Sequence, residues 1–407
     1  MSDDVSRPRT GPRNLGFGVF PLSYREAISQ WWGGATLEES ERAVLSFLPF
    51  FPESDGVRQA TSSMVPLARK GHELNEFRIE RVGEAVENDL VILHGYGAGL
   101  GFFYRNFDEL SSVKGWRLHA LDLLGYGRST RPRFSVRAKG DRERVYEAEN
   151  WFVDSLEEWR VKRNIDQFTL MAHSMGGYLG VAYARKYPER LKKLILVSPV
   201  GVPEDPWGSG SAAITPHDPP TALQQEFTAS QESTTQHAAR PQPPPKRPLP
   251  AWFVFLWERH VSPFSVIRLA GPLGPRLVSG WTQRRFSKLS TAEFEALHSY
   301  TYNIFNARGS GEYALPYLLA PGAYARFPLI NRLDKLRCPT LWMYGENDWM
   351  DVSAGKAAVQ KLRSQGKDAD IAVVEAAGHH LYLDNPTAFN EIIVDEMRKV
   401  SPSHPST

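Results

Sequence analysis

The residues with the clearest capacity for chemistry are Ala172-His173-Ser174-Met175-Gly176. They lie between an apolar run, Phe168 to Met171, and a small-residue helix start at Gly176 and Gly177. Small residues two before and two after a serine let a strand and a helix nearly touch at a tight turn. Such a turn lifts the hydroxyl above the sheet. The helix N-terminus behind it favours a developing negative charge. The plainer reading is a serine that caps a helix. A hydroxyl nucleophile needs a base, and the base needs an orienting acid. Asp348, in Gly345-Glu346-Asn347-Asp348, follows an apolar run that ends at Tyr344. It is the expected acid, with Glu346 and Asp351 as competitors. His379, in Ala377-Gly378-His379-His380, precedes the last helical pattern. It is the expected base, with His380 as the alternative. The chain order Ser174, Asp348, His379 is the one used when the serine sits on a strand-to-helix elbow.

Attack by a serine on an acyl group creates an oxyanion that needs two backbone N–H donors. The amide of Met175, directly after the serine, is one candidate. The other is the amide of Tyr96, in the loop His94-Gly95-Tyr96-Gly97-Ala98-Gly99. A phosphate-binding glycine loop would need the G-x-G-x-x-G spacing or a following lysine, and this loop has neither. His72, His119, His260 and His298 lack the spacing of metal ligands. No metal or cofactor is implied.

Strands and helices must hold these positions in space. Leu90 to Leu93, Trp116 to Leu121, Phe168 to Met171, Leu194 to Val197, Thr340 to Tyr344 and Ile371 to Val374 read as strands. Most are continuous apolar runs, as in a parallel sheet covered on both faces. Phe77 to Glu80 alternates like a half-exposed strand. Phe152, Leu156 and Trp159 mark one helix face, and Phe389, Ile392, Ile393 and Met397 another. Ala354 to Leu362 is a further helix. The alternation predicts a doubly wound, mostly parallel α/β sheet with helices on both faces. Near the N-terminus, a helix over Tyr24 to Trp32 ends at Gly33-Gly34. A capping box of Thr36 and Glu39 starts a second helix, expected to run through Leu48.

The chain has 407 residues, enough for one large core with insertions. Residues 1–20 read as a disordered tail, although Arg7, Arg9 and Arg13 also fit a mitochondrial presequence. Residues 21–75 are expected to form a helical segment, and 76–202 with 331–400 the core. Eleven of the thirty prolines fall between 201 and 250, where apolar residues are scarce. That composition predicts a disordered insertion over 203–250. Aromatic-rich helical segments over 251–330 are expected to form a lid. The net charge is +2, which argues against nucleic acid as a partner. The single Cys338 excludes an internal disulfide and reads as a core residue. No apolar run approaches the roughly 20 residues of a membrane-spanning helix.

Several longer motifs now carry a resemblance. They are His94 to Gly99 followed by Phe102-Phe103, Asp122 to Ser129, His173 to Tyr178, and Val197-Ser198-Pro199-Val200-Gly201. Asn306, Gly309-Ser310-Gly311-Glu312 and His379 to Asp384 add to them. Together they resemble a branch of the α/β hydrolases. It contains the N-acylphosphatidylethanolamine lipase, the lipid-droplet lipase co-activator and the fungal cardiolipin-specific deacylase. Trp31-Trp32 and Val261-Ser262-Pro263-Phe264 are most similar to the last. The resemblance covers about residues 24–202 and 252–400 and implies an α/β-hydrolase fold with an inserted lid.

It also implies a serine acyl hydrolase of glycerophospholipids, with cardiolipin in mitochondria as a candidate substrate. Cytoplasm or the lipid droplet is the alternative location. The partners expected are a phospholipid substrate and a lipid surface to which the protein binds peripherally. Trp252, Phe253, Phe255, Leu256 and Trp257, with Arg259, Arg268 and Arg276, suit a headgroup boundary. The competing expectation is that these aromatics fill the lid's own core. His379 and Asp384 also match the H-x4-D spacing of glycerolipid acyltransferases. That second reading would use acyl-CoA and lysophosphatidic acid. A non-enzymatic lipid-surface scaffold is the third.

Overall fold

A computed structural model of the chain describes residues 20–205, 251–286 and 289–400, with backbone only at 251–253. The expected disordered tail and nearly all of the expected insertion lie outside the described residues.

Two short helices come first, α1 (Tyr24–Gly33) and α2 (Leu37–Leu45). Both begin with reciprocal capping boxes, Ser23 with Glu26 and Thr36 with Glu39. These satisfy backbone N–H groups that have no partner inside the helix. The α2 helix stops at Leu45 rather than Leu48, and turns lead on to Pro49.

The sheet then builds in the order β1 (Arg58–Pro66), β2 (Glu73–Arg81), β3 (Asn88–Leu93), α3 (Tyr104–Leu110), β4 (Trp116–Leu121), α4 (Asp141–Lys162), β5 (Phe168–His173), α5 (Met175–Lys186) and β6 (Leu191–Val197). A helical excursion follows, made of α6 (Ala251–Glu258), α7 (Phe264–Leu269), α8 (Gly274–Phe286), α9 (Thr291–Asn306) and α10 (Leu315–Leu318). The sheet resumes with β7 (Thr340–Gly345), α11 (Val352–Ser364) and β8 (Ala369–Val374). The chain closes with α12 (Leu381–Asp384) and α13 (Pro386–Val400).

Spatially the eight strands run β1-β2-β4-β3-β5-β6-β7-β8. The β1–β2 and β2–β4 pairs are antiparallel and the rest parallel. Every residue of β5 and β7 is buried, as the apolar runs predict for strands covered on both faces. Cys338 is buried, as expected of a core residue, and burial pushes its thiol up to about 11.

The expected helical segment over 21–75 needs correction. Residues 58–66 form edge strand β1, and β2 already begins at Glu73. The β1 strand reads RQATSSMVP, with too few apolar residues to alternate visibly. Its pairing with β2, not its own pattern, makes it a strand.

Candidate active site

Strand β5 ends at His173, and α5 begins at Met175 with Ser174 as the residue between. Ser174 holds φ 54° and ψ −116°, a conformation strained for any residue with a Cβ. The surroundings keep it there. Its amide donates to Val197 O at 2.9 Å, and its carbonyl accepts from the amides of Tyr178 and Val200. A methyl at Gly176 would lie 2.6 Å from the carbonyl oxygen of His94, and one at Gly95 would lie 2.9 Å from Ser174 Cβ. Glycine at both positions is what lets the loop after β3 close over the turn.

His379 Nε2 lies 3.0 Å from Ser174 Oγ, and His379 Nδ1 lies 3.1 Å from Asp348 Oδ1. The Asp348 carboxylate can only accept, so Nδ1 carries the proton and Nε2 accepts from the serine hydroxyl. His379 is 2% exposed and its ring packs against Trp349 and His173. Burial pushes the Asp348 carboxyl up, but His379, the Ser198 hydroxyl and the Met350 amide together hold it below its ordinary value. The structure therefore brings Ser174, His379 and Asp348 together in the expected order. Both competing acids are engaged elsewhere. Glu346 accepts from the Ala376 amide, and Asp351 caps α11 through the amides of Ser353 and Ala354. His380 lines a cleft with Tyr96, Trp281 and Phe305, and the imidazole at Ser174 Oγ is that of His379.

Met175 is the first residue of α5, so its N–H has no acceptor within the helix. Tyr96 lies in the loop after β3, its ring stacked 5.1 Å from Phe264 of the lid. The turn at Gly97 requires φ +67°, and a side chain there would strike Phe264. His94 fixes this loop to the next one. Its Nδ1 donates to Gly95 O at 2.8 Å, and its Nε2 accepts from the Leu123 amide at 3.0 Å. Burial depresses the His94 imidazole, in keeping with this neutral form.

Asp122 and Ser198 stand within the sequence motifs, but nothing in their spacing marks a task for either. Asp122 is fully buried and accepts from the amides of Leu100 and Arg128, both at 2.8 Å. It also accepts from Asn75 Nδ2, which reaches Glu41 of α2 as well. Glu41 in turn meets Arg128 and the hydroxyl of Tyr300 on α9. One buried polar cluster thus ties the loop after β3 to α2 and the lid. The signal was the polar Asp122 directly after an apolar strand.

Asp384 does not approach the reacting hydroxyl. It accepts from the Gly378 amide at 2.9 Å and so braces the loop that carries His379. The expected lid cluster divides. Trp257 is buried and donates to Leu319 O at 3.1 Å, whereas Phe255 and Leu256 are exposed. Trp252 and Phe253 have no described side chains. Arg268 pairs with the buried Glu312 and Arg276 bonds to Leu22 O, whereas Arg259 lies over the exposed Phe255 ring of the cluster.

A family model described as the alpha/beta hydrolase fold matches residues 89–386, and the chain belongs to that family. Among curated proteins it is 36% identical over 320 residues to the 1-acylglycerol-3-phosphate O-acyltransferase of Arabidopsis thaliana. That match covers 76% of this chain and 66% of the relative, so it spans just under two thirds of the plant protein. It is 31% identical to the 1-acylglycerol-3-phosphate O-acyltransferase ABHD5 of Sus scrofa, over 87% of each chain. It is 34% identical to the (lyso)-N-acylphosphatidylethanolamine lipase of Mus musculus, over 75% of this chain and 77% of the relative. Carboxylesterase CesB of Bacillus subtilis shares the fold with TM-score 0.54 and 13% identity, covering 89% of this chain and 96% of that one. The protein is therefore an α/β hydrolase related to lipid-acting enzymes. Two members of the expected branch, the lipase and ABHD5, are among these relatives. The likeness to the fungal deacylase rests on the motifs alone.

Proposed function

We propose that the protein is a serine acyl hydrolase of glycerophospholipids, with Ser174 as nucleophile, His379 as base and Asp348 as the residue that orients it. The observation that carries this reading is the hydrogen-bonded series Ser174 Oγ, His379 Nε2, His379 Nδ1, Asp348 Oδ1. His379 takes the serine proton as Oγ attacks the acyl carbonyl. The amides of Met175 and Tyr96 receive the oxyanion. Collapse releases a lysophospholipid and leaves an acyl-enzyme. Water activated by His379 then frees the fatty acid.

Two features support lipid as the substrate phase. The relatives' names concern glycerolipids. In addition, Tyr24, Ile28, Trp31 and Trp32 recur on one exposed face of α1, beside exposed Leu269 and Leu273 of the lid. Cardiolipin of a mitochondrial membrane is the first substrate to test, on the motif likeness. The direct experiment is labelling by a fluorophosphonate probe, followed by incubation with cardiolipin and phosphatidylcholine vesicles. Labelling that disappears in Ser174→Ala, together with fatty acid release, supports the reading. An unlabelled, inactive wild-type protein would overturn it in favour of a non-enzymatic scaffold.

The names of the plant relative and ABHD5 favour a second reading, acyl transfer from acyl-CoA to lysophosphatidic acid. Labelled acyl-CoA separates the two. Label in phospholipid that survives Ser174→Ala would mean transfer without a serine intermediate.

A further inference from the structure

Beside the reacting serine lies a group of polar atoms with nothing to bond. A narrow cleft is walled by Tyr96, Gly97, Ala98, Phe102, Trp281, Phe305 and His380. Aromatic rings make most of its wall, and His380 adds an imidazole. That imidazole is 5% exposed, and its Nδ1 has no hydrogen-bond partner among the described residues. Arg285 lies on α8 one turn beyond Trp281, behind the cleft wall and near enough to His380 and His173 for its charge to act on both. Its Nε and Nη2 are buried and likewise lack an acceptor. No carboxylate among the described residues pairs with it. The fourth such atom is Nδ1 of His173, whose ring centroid is 5.0 Å from that of His380.

Two guanidinium nitrogens buried without an acceptor are costly to keep, since each buried donor without a partner loses its hydration uncompensated. The imidazoles nearby do not offset the charge. Burial first, and then the charge of Arg285, depress His380 well below the ordinary histidine value. His173 is held down in the same sense by burial, His379 and Arg285. Both rings are thus neutral near pH 7. Arg285 thus adds a cation with directional N–H donors behind the cleft wall, and no carboxylate among the described residues answers it. An oxyanion with several acceptors is the ligand such a set fits, and a planar guanidinium matches two phosphate oxygens at once.

We propose that Arg285, with His380, forms a subsite that holds the phosphate of the glycerophospholipid while Ser174 attacks its ester. The inference deepens the proposed function and rests on it. His380 is the chain neighbour of His379, and Tyr96 and Gly97 belong to the loop that closes over Ser174. A phosphate held here is therefore within a few bonds of an acyl ester at the serine. Arg285 acts as a specificity residue. It selects anionic lipid esters over neutral ones and takes no part in the proton transfers.

The test compares kcat/KM for two short-chain esters, dihexanoylphosphatidic acid and neutral dihexanoylglycerol, in wild type, Arg285→Gln and Arg285→Lys. The phosphate-to-neutral ratio should fall about tenfold or more in Arg285→Gln, chiefly through KM, and recover in part in Arg285→Lys. An unchanged ratio overturns the proposal. A second arm needs no turnover. Calorimetric binding of dihexanoylphosphatidic acid to Ser174→Ala should weaken at least tenfold when Arg285→Gln is added, with the melting temperature reporting the fold. Equal binding by both overturns the phosphate subsite. If wild type cleaves neither ester yet that binding difference holds, the hydrolase reading fails and the subsite stands. Inorganic phosphate alone binding as tightly as the lipid would make this a free-phosphate site and overturn its role in substrate choice.

Discussion

The Ser198 hydroxyl donates to Oδ2 of Asp348, while His379 takes Oδ1 of the same carboxylate. Ser198 sits just past β6 with φ 47°, its amide bonded to Met343 O at 2.7 Å. Both carboxylate oxygens are thereby fixed, and the imidazole has one acceptor in one direction. Ser198→Ala should slow hydrolysis about tenfold, because a charge-assisted hydrogen bond of roughly 1.5–3 kcal/mol is removed at a buried site. The sign of the pH effect on stability also follows. A carboxyl held below its ordinary value adds stability above about pH 3.8, and that stability is lost as pH falls through the native value. Ser198→Ala should therefore be less stable than wild type near neutral pH, with the gap closing in acid. Urea midpoints at pH 3 and pH 7 check this. A gap of equal size at both would refute it.

The proposed triad predicts unequal losses. Ser174→Ala should lower turnover on the order of 10⁶-fold, since the nucleophile itself is gone. Asp348→Asn should cost roughly 10⁴-fold, because the wrong tautomer of His379 is then favoured. Steady-state ester assays with matched circular dichroism measure both. Near-normal turnover by Asp348→Asn would move the acid to Glu346 or Asp351, despite the backbone amides both already hold.

Asp384 separates the two acyl-transfer chemistries. Its carboxylate bonds to the Gly378 amide, not to the imidazole. Asp384→Ala should lower stability by about 1–2 kcal/mol and reduce hydrolysis only by loosening the His379 loop. Parallel hydrolysis and acyl-CoA transfer assays decide. Loss of transfer with hydrolysis intact would support a separate H-x4-D centre.

The legibility of these residues follows a physical division. Ser174, Asp348 and His379 could be read because strands next to them are long apolar runs, and a turn between strand and helix needs small residues. The covered strands β3 to β7 were visible for the same reason. Strand β1 was not, because one edge faces solvent and Arg58, Gln59 and Ser62 break any alternation. Ser198 and Glu41 had no sequence signal of their role. Each acts through a partner more than thirty residues away, and such contacts exist only after folding. The lid was legible as a helical insertion. Which of its aromatics face outward was not, because Trp257 and Phe255 stand two residues apart with opposite fates.

Glu41 gives a pH-dependent prediction away from the triad. Burial first, and then the charge of Asp122, push its carboxyl up to about 8, although Arg128 opposes the rise. Asn75, Arg128 and Tyr300 complete its surroundings. A carboxyl raised in the native state contributes stability fully below about pH 4.5, and loses it as pH climbs through the native value. Wild type should therefore lose stability relative to Glu41→Gln between pH 5 and pH 8.5, since glutamine keeps the shape without titrating. Thermal midpoints of the two proteins across that range are the measurement. A difference that stays constant, or that grows in favour of wild type, would show that Glu41 is ionised throughout.

The exposed apolar face of α1 leads to the last prediction. Trp32 and Leu269 are 82% and 87% exposed, and α1 packs against the lid helix α8. Ala27 turns inward, while Tyr24, Ile28, Trp31 and Trp32 recur at the spacing of one helical face and stay outside. Such a face gains nothing in water, whereas burying a large apolar side chain in an apolar phase is worth about 1.5–3 kcal/mol. Arg276 lies over the Tyr24 ring at 4.2 Å and holds it to the lid. The helix and lid would therefore meet a bilayer together, with Trp281 of α8 walling the cleft beside His380. Trp32→Asp combined with Leu269→Asp should weaken flotation with cardiolipin-containing vesicles on the order of tenfold to a hundredfold. Cleavage of a water-soluble ester measured on the same samples separates docking from catalysis. Equal flotation of the variant and wild type would place the membrane contact elsewhere on the molecule.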